Sequence, residues 1–225
     1  LNSILDMATY ESLIKIKGAV GDLVFYTLNG KNVVRKKSGF NKTAFKKSPA
    51  YEKVRQNSSE FGHCSKVGKI IRQALEPYIK KAEDPLLYQK FAKLMTEIKD
   101  LDLISERGKR NVAKGMITKK GKLLLRKFQF GIKPNFENRA SISLDSAENN
   151  LSIENQLPCD EVVMLTIKVD CENYTTESFE EAILLEHQKK ISFGKHFLEE
   201  DVILYLMIAK KKEEILNMGF VNELD

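Results

Sequence analysis

Apolar and polar positions alternate in two different rhythms along this chain, and the change between them divides it. Near the N-terminus, residues 13–17, 23–28 and 31–35 are short β-rich runs separated by Gly18-Ala19-Val20-Gly21 and Asn29-Gly30. Asn-Gly between two such runs is the strongest short hairpin signal, because both central residues of a type I′ turn need positive φ. A small antiparallel meander is predicted here, with the Gly18-x-x-Gly21 pair as a tight turn.

The rhythm then becomes helical. Ser48-Pro49 opens a long helix, with Ser as the N-cap and Pro at the first helical position. Val54, Phe61, Cys64, Gly68, Ile71, Leu75 and Tyr78 recur at spacings of three, four and seven, which puts them on one apolar stripe. Pro77 ends or kinks that helix. Asp84-Pro85 starts a second one, with Leu87, Phe91, Leu94 and Ile98 as its stripe. The short connection makes the two helices antiparallel neighbours. A third helical stretch is predicted from about 105 to 126 through Val112, Met116, Leu123 and Leu124, although Gly108, Gly115 and Gly121 weaken it.

Beyond Phe128-Gln129-Phe130 short β-rich runs return, at 140–144, 151–154, 162–169, 182–187, 202–209 and 219–224. Strands at this spacing without intervening helices suggest an antiparallel sandwich. The predicted fold class is therefore α+β: an N-terminal β-hairpin or meander plus a helical hairpin, then a C-terminal antiparallel β-sandwich. The expected domains are 7–130 and 131–225, with the boundary near 132–138. Residues 1–6, ahead of Met7, are set aside as an upstream extension or cloning remnant. Residues 1–19 lack a charged segment followed by an apolar one, so no signal peptide is expected. No apolar run approaches the ~20 residues that span a bilayer, so no membrane is expected as a partner.

Charge changes this picture. Residues 1–130 carry 28 Lys and Arg against 12 Asp and Glu, and residues 131–225 carry 9 against 19, so a net +16 is joined to a net −10. Within the basic half the excess is local. Residues 31–55 hold nine basic side chains against Glu52 alone, and residues 107–127 hold nine and no acid. The helical segment between them, 56–106, has eight of each sign. Lysines clustered in this way release counterions from a phosphate backbone without reading base sequence. The candidate nucleic-acid-binding residues are Lys36, Lys37, Lys46, Lys47, Arg55, Lys66, Lys69, Lys109, Arg110, Lys119 and Lys120. Phe40, Phe45 and Tyr51 are threaded through the first cluster. An exposed aromatic there would stack on an unpaired base, but anchoring of the loop to a core is the favoured reading, since large apolar side chains are usually buried.

Other chemistry is weakly supported. Gly18-x-x-Gly21 echoes the backbone-clamping loop of KH domains, but that loop joins two helices. No phosphate-binding glycine loop and no dinucleotide fingerprint is present. Cys64, Cys159 and Cys171 have no metal-site spacing, and reduced thiols in a cytoplasmic protein are the simpler reading; a Cys159–Cys171 bridge is the minor alternative. His63, His187 and His196 are expected in structural roles, and no cofactor or metal is expected. The Glu180-Glu181 and Glu199-Glu200-Asp201 clusters are expected to be solvated turns or strand ends rather than a catalytic pair.

Ile16-Lys17-Gly18 through Phe25-Tyr26, Arg55-Gln56-Asn57-Ser58-Ser59-Glu60-Phe61-Gly62, Gly68-Lys69-Ile70-Ile71-Arg72, Arg107-Gly108-Lys109-Arg110-Asn111-Val112 and Phe128-Gln129-Phe130 resemble an uncharacterised family of small proteins from Bacteroidota. The resemblance covers roughly residues 15–130. It implies a bacterial cytoplasmic protein and carries over no functional residue. The expected function is non-enzymatic binding of a polyanion, nucleic acid above all, by the basic module. The alternative is a structural or assembly protein whose basic half docks on the acidic half of a protein partner or of a second copy. An enzyme with an unfamiliar site is the remote third reading.

Overall fold

The computed structural model describes residues 7–12, 16–37, 42–131, 142–153, 158–185, 190–198, 200–212 and 214–223. Phe40, His187, Glu199 and the segment expected to hold the domain boundary lie outside them. The chain divides into two compact units, Leu1–Glu52 and Lys53–Asp225.

The first unit is an antiparallel sheet of β1 (Met7–Thr9), β2 (Gly18–Val20), β3 (Leu23–Leu28) and β4 (Lys31–Lys36), in the order β1-β4-β3-β2, followed by the short helix α1 (Lys42–Lys47). The Asn29-Gly30 hairpin forms as expected: φ is +50° and +78° at its two central residues, and Leu28 faces Lys31 across the turn. Strand β2 begins at Gly18 itself, so the tight turn reduces to Gly21-Asp22, with Gly21 at φ +54°. Val33 is buried. Phe45 and Tyr51 pack edge to face at 5.8 Å, with Tyr51 still 39% exposed.

The second unit begins along α2 (Glu52–Ala74). The Ser48 hydroxyl accepts the Ala50 N–H at the start of a 3-10 turn, Pro49–Tyr51, that leads into this helix. The helix stops at Ala74, and Pro77 sits instead near the start of the short α3 (Glu76–Ile79), where its missing N–H costs nothing. Asp84 then accepts the Leu86 N–H ahead of α4 (Leu87–Lys99). Helices α2 and α4 run antiparallel in a fixed register. Glu60 meets Lys99, the Cys64 thiol donates to the Met95 carbonyl, and Gly68 lies under Met95 and Phe91. Leu87, Phe91, Leu94 and Ile98 are all buried, as the stripe requires.

Two expectations for the helices need correction. Val54 and Phe61 are 50% and 63% exposed, while Glu60, Val67 and Ile70 are buried in the same helix. The N-terminal half of α2 is covered by a polar loop rather than by apolar side chains. The third helix is in fact two, α5 (Val112–Met116) and α6 (Lys119–Lys127), each capped on its own, by Asn111 and by Thr118. In α6 Leu125 is the fully buried side chain, and Leu123 is 37% exposed.

The rest of the unit is two antiparallel sheets. One consists of β5 (Ile142–Asp145), β6 (Asn150–Ile153) and β9 (Lys190–Ser192). The other, in the order β11-β10-β7-β8, is built from β7 (Glu161–Asp170), β8 (Thr175–Leu184), β10 (Ile203–Lys211) and β11 (Glu214–Phe220). Alternate residues of β7 and β10 serve different cores. Val163, Leu165, Ile167, Leu204, Leu206 and Ile208 share a core with α2, α4 and α6. Val162, Met164, Tyr205, Met207 and Ala209 pack against Leu144, Leu151 and Ile191 of the three-stranded sheet. The unit therefore has three layers, helices, four-stranded sheet and three-stranded sheet, and β7 is buried on both faces. The residues on either side of the expected 130/131 boundary lie in this one unit, because the apolar stripes of the helices have the sheet as their partner. None of the described helices is long and apolar enough to cross a membrane.

Candidate polyanion-binding surface

The N-terminal half of α2 carries a carboxylate where a stripe position would be apolar. Glu60 is 3% exposed and is enclosed by donors. Arg110 grips it with Nε at 2.8 Å and a terminal nitrogen at 2.6 Å, the Lys99 ammonium lies at 2.9 Å, and the Gly108 N–H donates at 2.6 Å. The Arg110 bonds first, opposed by burial and then aided by Lys99 and Gly108, hold the Glu60 carboxyl at about 2. Asp100 closes the network, bound to Lys99 and, at 2.8 Å, to Arg110.

A loop is laid over α2 by this network. Asp102, 2% exposed, accepts the backbone N–H groups of Ile104, Ser105 and Asn111, which folds the segment back on itself. Gly108 takes φ +92° and sits against Gln56, where a Cβ would come within 2.9 Å of that side chain. Arg107 reaches Asn57 at 2.9 Å.

His63, one turn along α2, joins this loop to the β7–β8 turn. The Val112 N–H donates to Nε2 at 3.1 Å, so the ring proton resides on Nδ1 and is given to the Tyr174 hydroxyl, also at 3.1 Å. Burial holds the imidazole below its ordinary pKa, which keeps this neutral tautomer. Tyr174 occupies the left-handed region at φ +54°, a conformation that costs a bulky residue roughly 1–2 kcal/mol. The preceding turn holds it there, with Asp170 accepting the N–H groups of Glu172 and Asn173. The Lys66 ammonium stands over the Tyr174 ring, 4.6 Å from its centre.

These groups line an open cleft of about 410 Å³ whose walls include Ser58, Ser59, Lys66, Lys109 and Tyr174. Glu60 is the sole carboxylate among the described residues lining it, and its oxygens are already engaged. Because the Tyr174 oxygen accepts from His63, the phenol proton remains to be donated elsewhere. Two lysines, two serines and the Tyr174 phenol thus line a cleft whose lining carboxylate, among the described residues, is already engaged.

The expected site residues fall into separate places. Lys66, Lys109 and Arg110 come together in the cleft. Arg110 does not serve as expected there: it is spent on Glu60 and Asp100. Lys109 makes an exposed pair with Glu106 at 3.0 Å, a contact worth little in water. Lys69 is exposed one turn further along α2, and Arg55 is half-buried near its start. Lys119 and Lys120 are exposed in the first turn of α6 and do not line the cleft. Lys36 and Lys37 at the end of β4, and Lys46 and Lys47 in the last turn of α1, belong to the other unit.

Ser58, Ser59, His63 and Tyr174 are the cleft residues that clustered charge did not point to. For His63 the signal was its place beside Cys64 on α2, read as structural, and both of its ring nitrogens are indeed used within the protein. His196 pairs with Glu181 at 2.8 Å and stacks on Phe179, so Glu181 is more than a solvated strand end. Among the described residues no group of three or more His, Cys, Asp or Glu side chains is placed to hold a metal ion, and all three thiols are free. Comparison of the chain with protein-family models, with curated proteins and with solved structures finds no match.

Proposed function

We propose that this protein is a non-enzymatic binding protein that engages nucleic acid without sequence specificity, seating a phosphate of the backbone in the α2 cleft. The observation that carries the reading is that Lys66, Lys109, Ser58, Ser59 and Tyr174 line a cleft whose sole carboxylate among the described residues, Glu60, is neutralised from within. Lys69, exposed on the same helix, extends the positive surface from that seat. Contacts of this kind position a backbone and carry no base information. Fluorescence anisotropy with a labelled single-stranded oligonucleotide tests it: binding at about 50 mM salt should weaken steeply as salt rises. Absence of binding at that salt concentration overturns the reading.

A second reading, assembly through basic-to-acidic contacts, is favoured by β8. This ten-residue strand lies at a sheet edge, most of its side chains are exposed, and it carries Glu177, Glu180 and Glu181. An open edge is a template for pairing with another chain. Light scattering without nucleic acid separates the two, since salt-sensitive self-association would favour assembly.

A further inference from the structure

Strand β8 is a sheet edge that lacks the usual protection. It runs for ten residues beside β7 in an unbroken antiparallel register, from Glu161↔Leu184 to Asp170↔Thr175, with no bulge. It contains neither proline nor lysine. Bulges, prolines and lysines are what commonly blunt an exposed edge. The opposite edge of the same sheet, β11, is bulged against β10.

The register shows which backbone groups are left over. The Leu185 N–H donates to the Asp160 carbonyl, continuing the pairing of β8 with β7 by one residue. In an antiparallel ladder, residues that exchange hydrogen bonds with the neighbour alternate with residues that do not. Glu177, Phe179, Glu181 and Ile183, in step with Leu185, therefore turn their N–H and C=O groups to β7. Thr176, Ser178, Glu180, Ala182 and Leu184 turn theirs outward, where no described strand meets them.

The side chains decide what kind of chain fits. The strand carries Glu177, Glu180 and Glu181 and no basic residue. Glu181 is held by His196 and the Gly194 N–H, and Glu177 lies 3.9 Å from a Lys168 that also binds Asp201, so these contacts leave the edge acidic. Phe179 and Leu184 add exposed apolar surface. A second copy of β8 would set three carboxylates against three, and like charges across a strand pair are destabilising.

We propose that the outer edge of β8 takes up an extended, lysine- or arginine-rich segment of another protein as an added antiparallel strand. Backbone hydrogen bonds would supply affinity, and basic side chains opposite the three glutamates would supply selectivity. The proposal rests on the acidic edge of the assembly reading and makes no use of the α2 cleft.

The probe is the peptide Val-Thr-Thr-Lys-Lys-Val-Thr-Lys-Thr-Thr, which in antiparallel register sets a lysine opposite each glutamate of β8. Binding is followed by amide hydrogen exchange and NMR titration on the full chain. With peptide about 10-fold above its Kd, exchange at Thr176, Ser178, Glu180 and Ala182 should slow by about 10-fold. Glu177, Phe179 and Glu181, already bonded to β7, should change little. The same peptide with glutamates for lysines, or with an N-methylated backbone, should not bind. Ser178→Pro removes an outward N–H and no bond to β7, so it should weaken binding by about 10-fold or more. Glu177→Gln with Glu180→Gln keeps the strand's shape and should weaken it by about 5-fold. The proposal is overturned if no saturation appears by about 1 mM, a weak affinity for any peptide site. It is equally overturned if either control peptide binds as well, or if the newly protected amides do not alternate. Salt-sensitive self-association without peptide binding would overturn it while leaving the assembly reading in place.

Discussion

The Lys99 ammonium lies 2.9 Å from the Glu60 carboxylate, with the two side chains 6% and 3% exposed. A buried charge pair is tolerable only when its remaining hydrogen-bonding capacity is filled, and here Arg110, Gly108 and Asp100 fill it. Glu60→Gln takes the buried charge from Lys99 and Arg110 and leaves them the half-exposed Asp100 as their shared carboxylate. The variant should lose about 3 kcal/mol in urea unfolding, the usual cost of breaking such a pair from one side. A loss under about 0.5 kcal/mol would place the network among those surface pairs that contribute little.

The same carboxylate sets an acid limit on stability. Its pKa falls from 4.5 in the unfolded chain to about 2 in the folded one. The unfolded state therefore binds more protons across that interval, and stability rises with pH. The contribution is complete above about pH 5 and drains away as pH falls towards 2. Asp102 behaves in the same sense: despite burial, hydrogen bonds led by Ser105 hold it at about 2. Urea midpoints measured between pH 2 and pH 7 should drop below about pH 5, and the drop should be shallower in Glu60→Gln.

Lys66 and Arg110 line one cleft but should fail in different ways. Lys66 is exposed and lies over a ring face, so Lys66→Ala should weaken oligonucleotide binding by about 3- to 10-fold and lower the salt slope by about 0.7. Stability should move by less than about 0.5 kcal/mol. Arg110→Ala should instead cost stability, by about 3 kcal/mol, because it strips Glu60 of its main donor. Equal losses of affinity in both variants, with stability unmoved, would assign Arg110 to the phosphate after all.

The thiols offer a separate check on the packing. Burial pushes Cys64 up to about 11 and Cys171 up to about 12, and both side chains are hidden, whereas Cys159 is half-buried. Because the thiolate is the reactive form, a disulfide reagent at neutral pH should modify Cys159 first. The other two should react only on unfolding. A native protein that titrates three thiols at once would contradict the buried core around Cys64 and Cys171.

Where the sequence succeeded and failed follows from what each signal measures. Asn29-Gly30 reported its hairpin because its turn conformation is a property of the residues themselves. The stripe of α4 was equally readable, since Leu87, Phe91, Leu94 and Ile98 all face one core. Strand β8 passed unseen along most of its length: its edge position leaves Thr175, Glu177, Ser178 and Glu180 polar and exposed, without the apolar alternation that marks a half-buried strand. The acid-free run 107–127 suggested unpaired cations, but Glu60 and Asp100 arrive from elsewhere in the chain to neutralise Arg110. Counting charge along a sequence measures composition, whereas the cleft depends on which acids fold back onto which bases. Tyr174 came from a turn more than a hundred residues away, bound to His63, and no local pattern announces such a partner.

Gly115 reverses the inference drawn from helix propensity. In a solvent-exposed helix Gly→Ala stabilises by about 1 kcal/mol, so this glycine argued against a helix at all. In the folded chain it is the point where α5 crosses α4. A Cβ at Gly115 would lie 1.9 Å from the Ile98 carbonyl oxygen and 2.9 Å from the Ile98 Cγ2. The obstructing atoms are largely backbone, so the helices must separate rather than a side chain rotate, and Ile98 is itself fully buried against the core. Gly115→Ala should therefore destabilise by about 2–3 kcal/mol, at the upper end of overpacking costs. Gly121 supports the same geometry from the other side, since its Cβ would fall 2.0 Å from the Gly115 carbonyl oxygen. Gly62, half-buried in α2 with nothing within 4 Å of a built Cβ, supplies the control. There Gly→Ala should stabilise by about 0.5–1 kcal/mol. Opposite signs at the two positions, read from urea midpoints, are the expected result; stabilisation at both would mean that α4 and α5 do not meet as described.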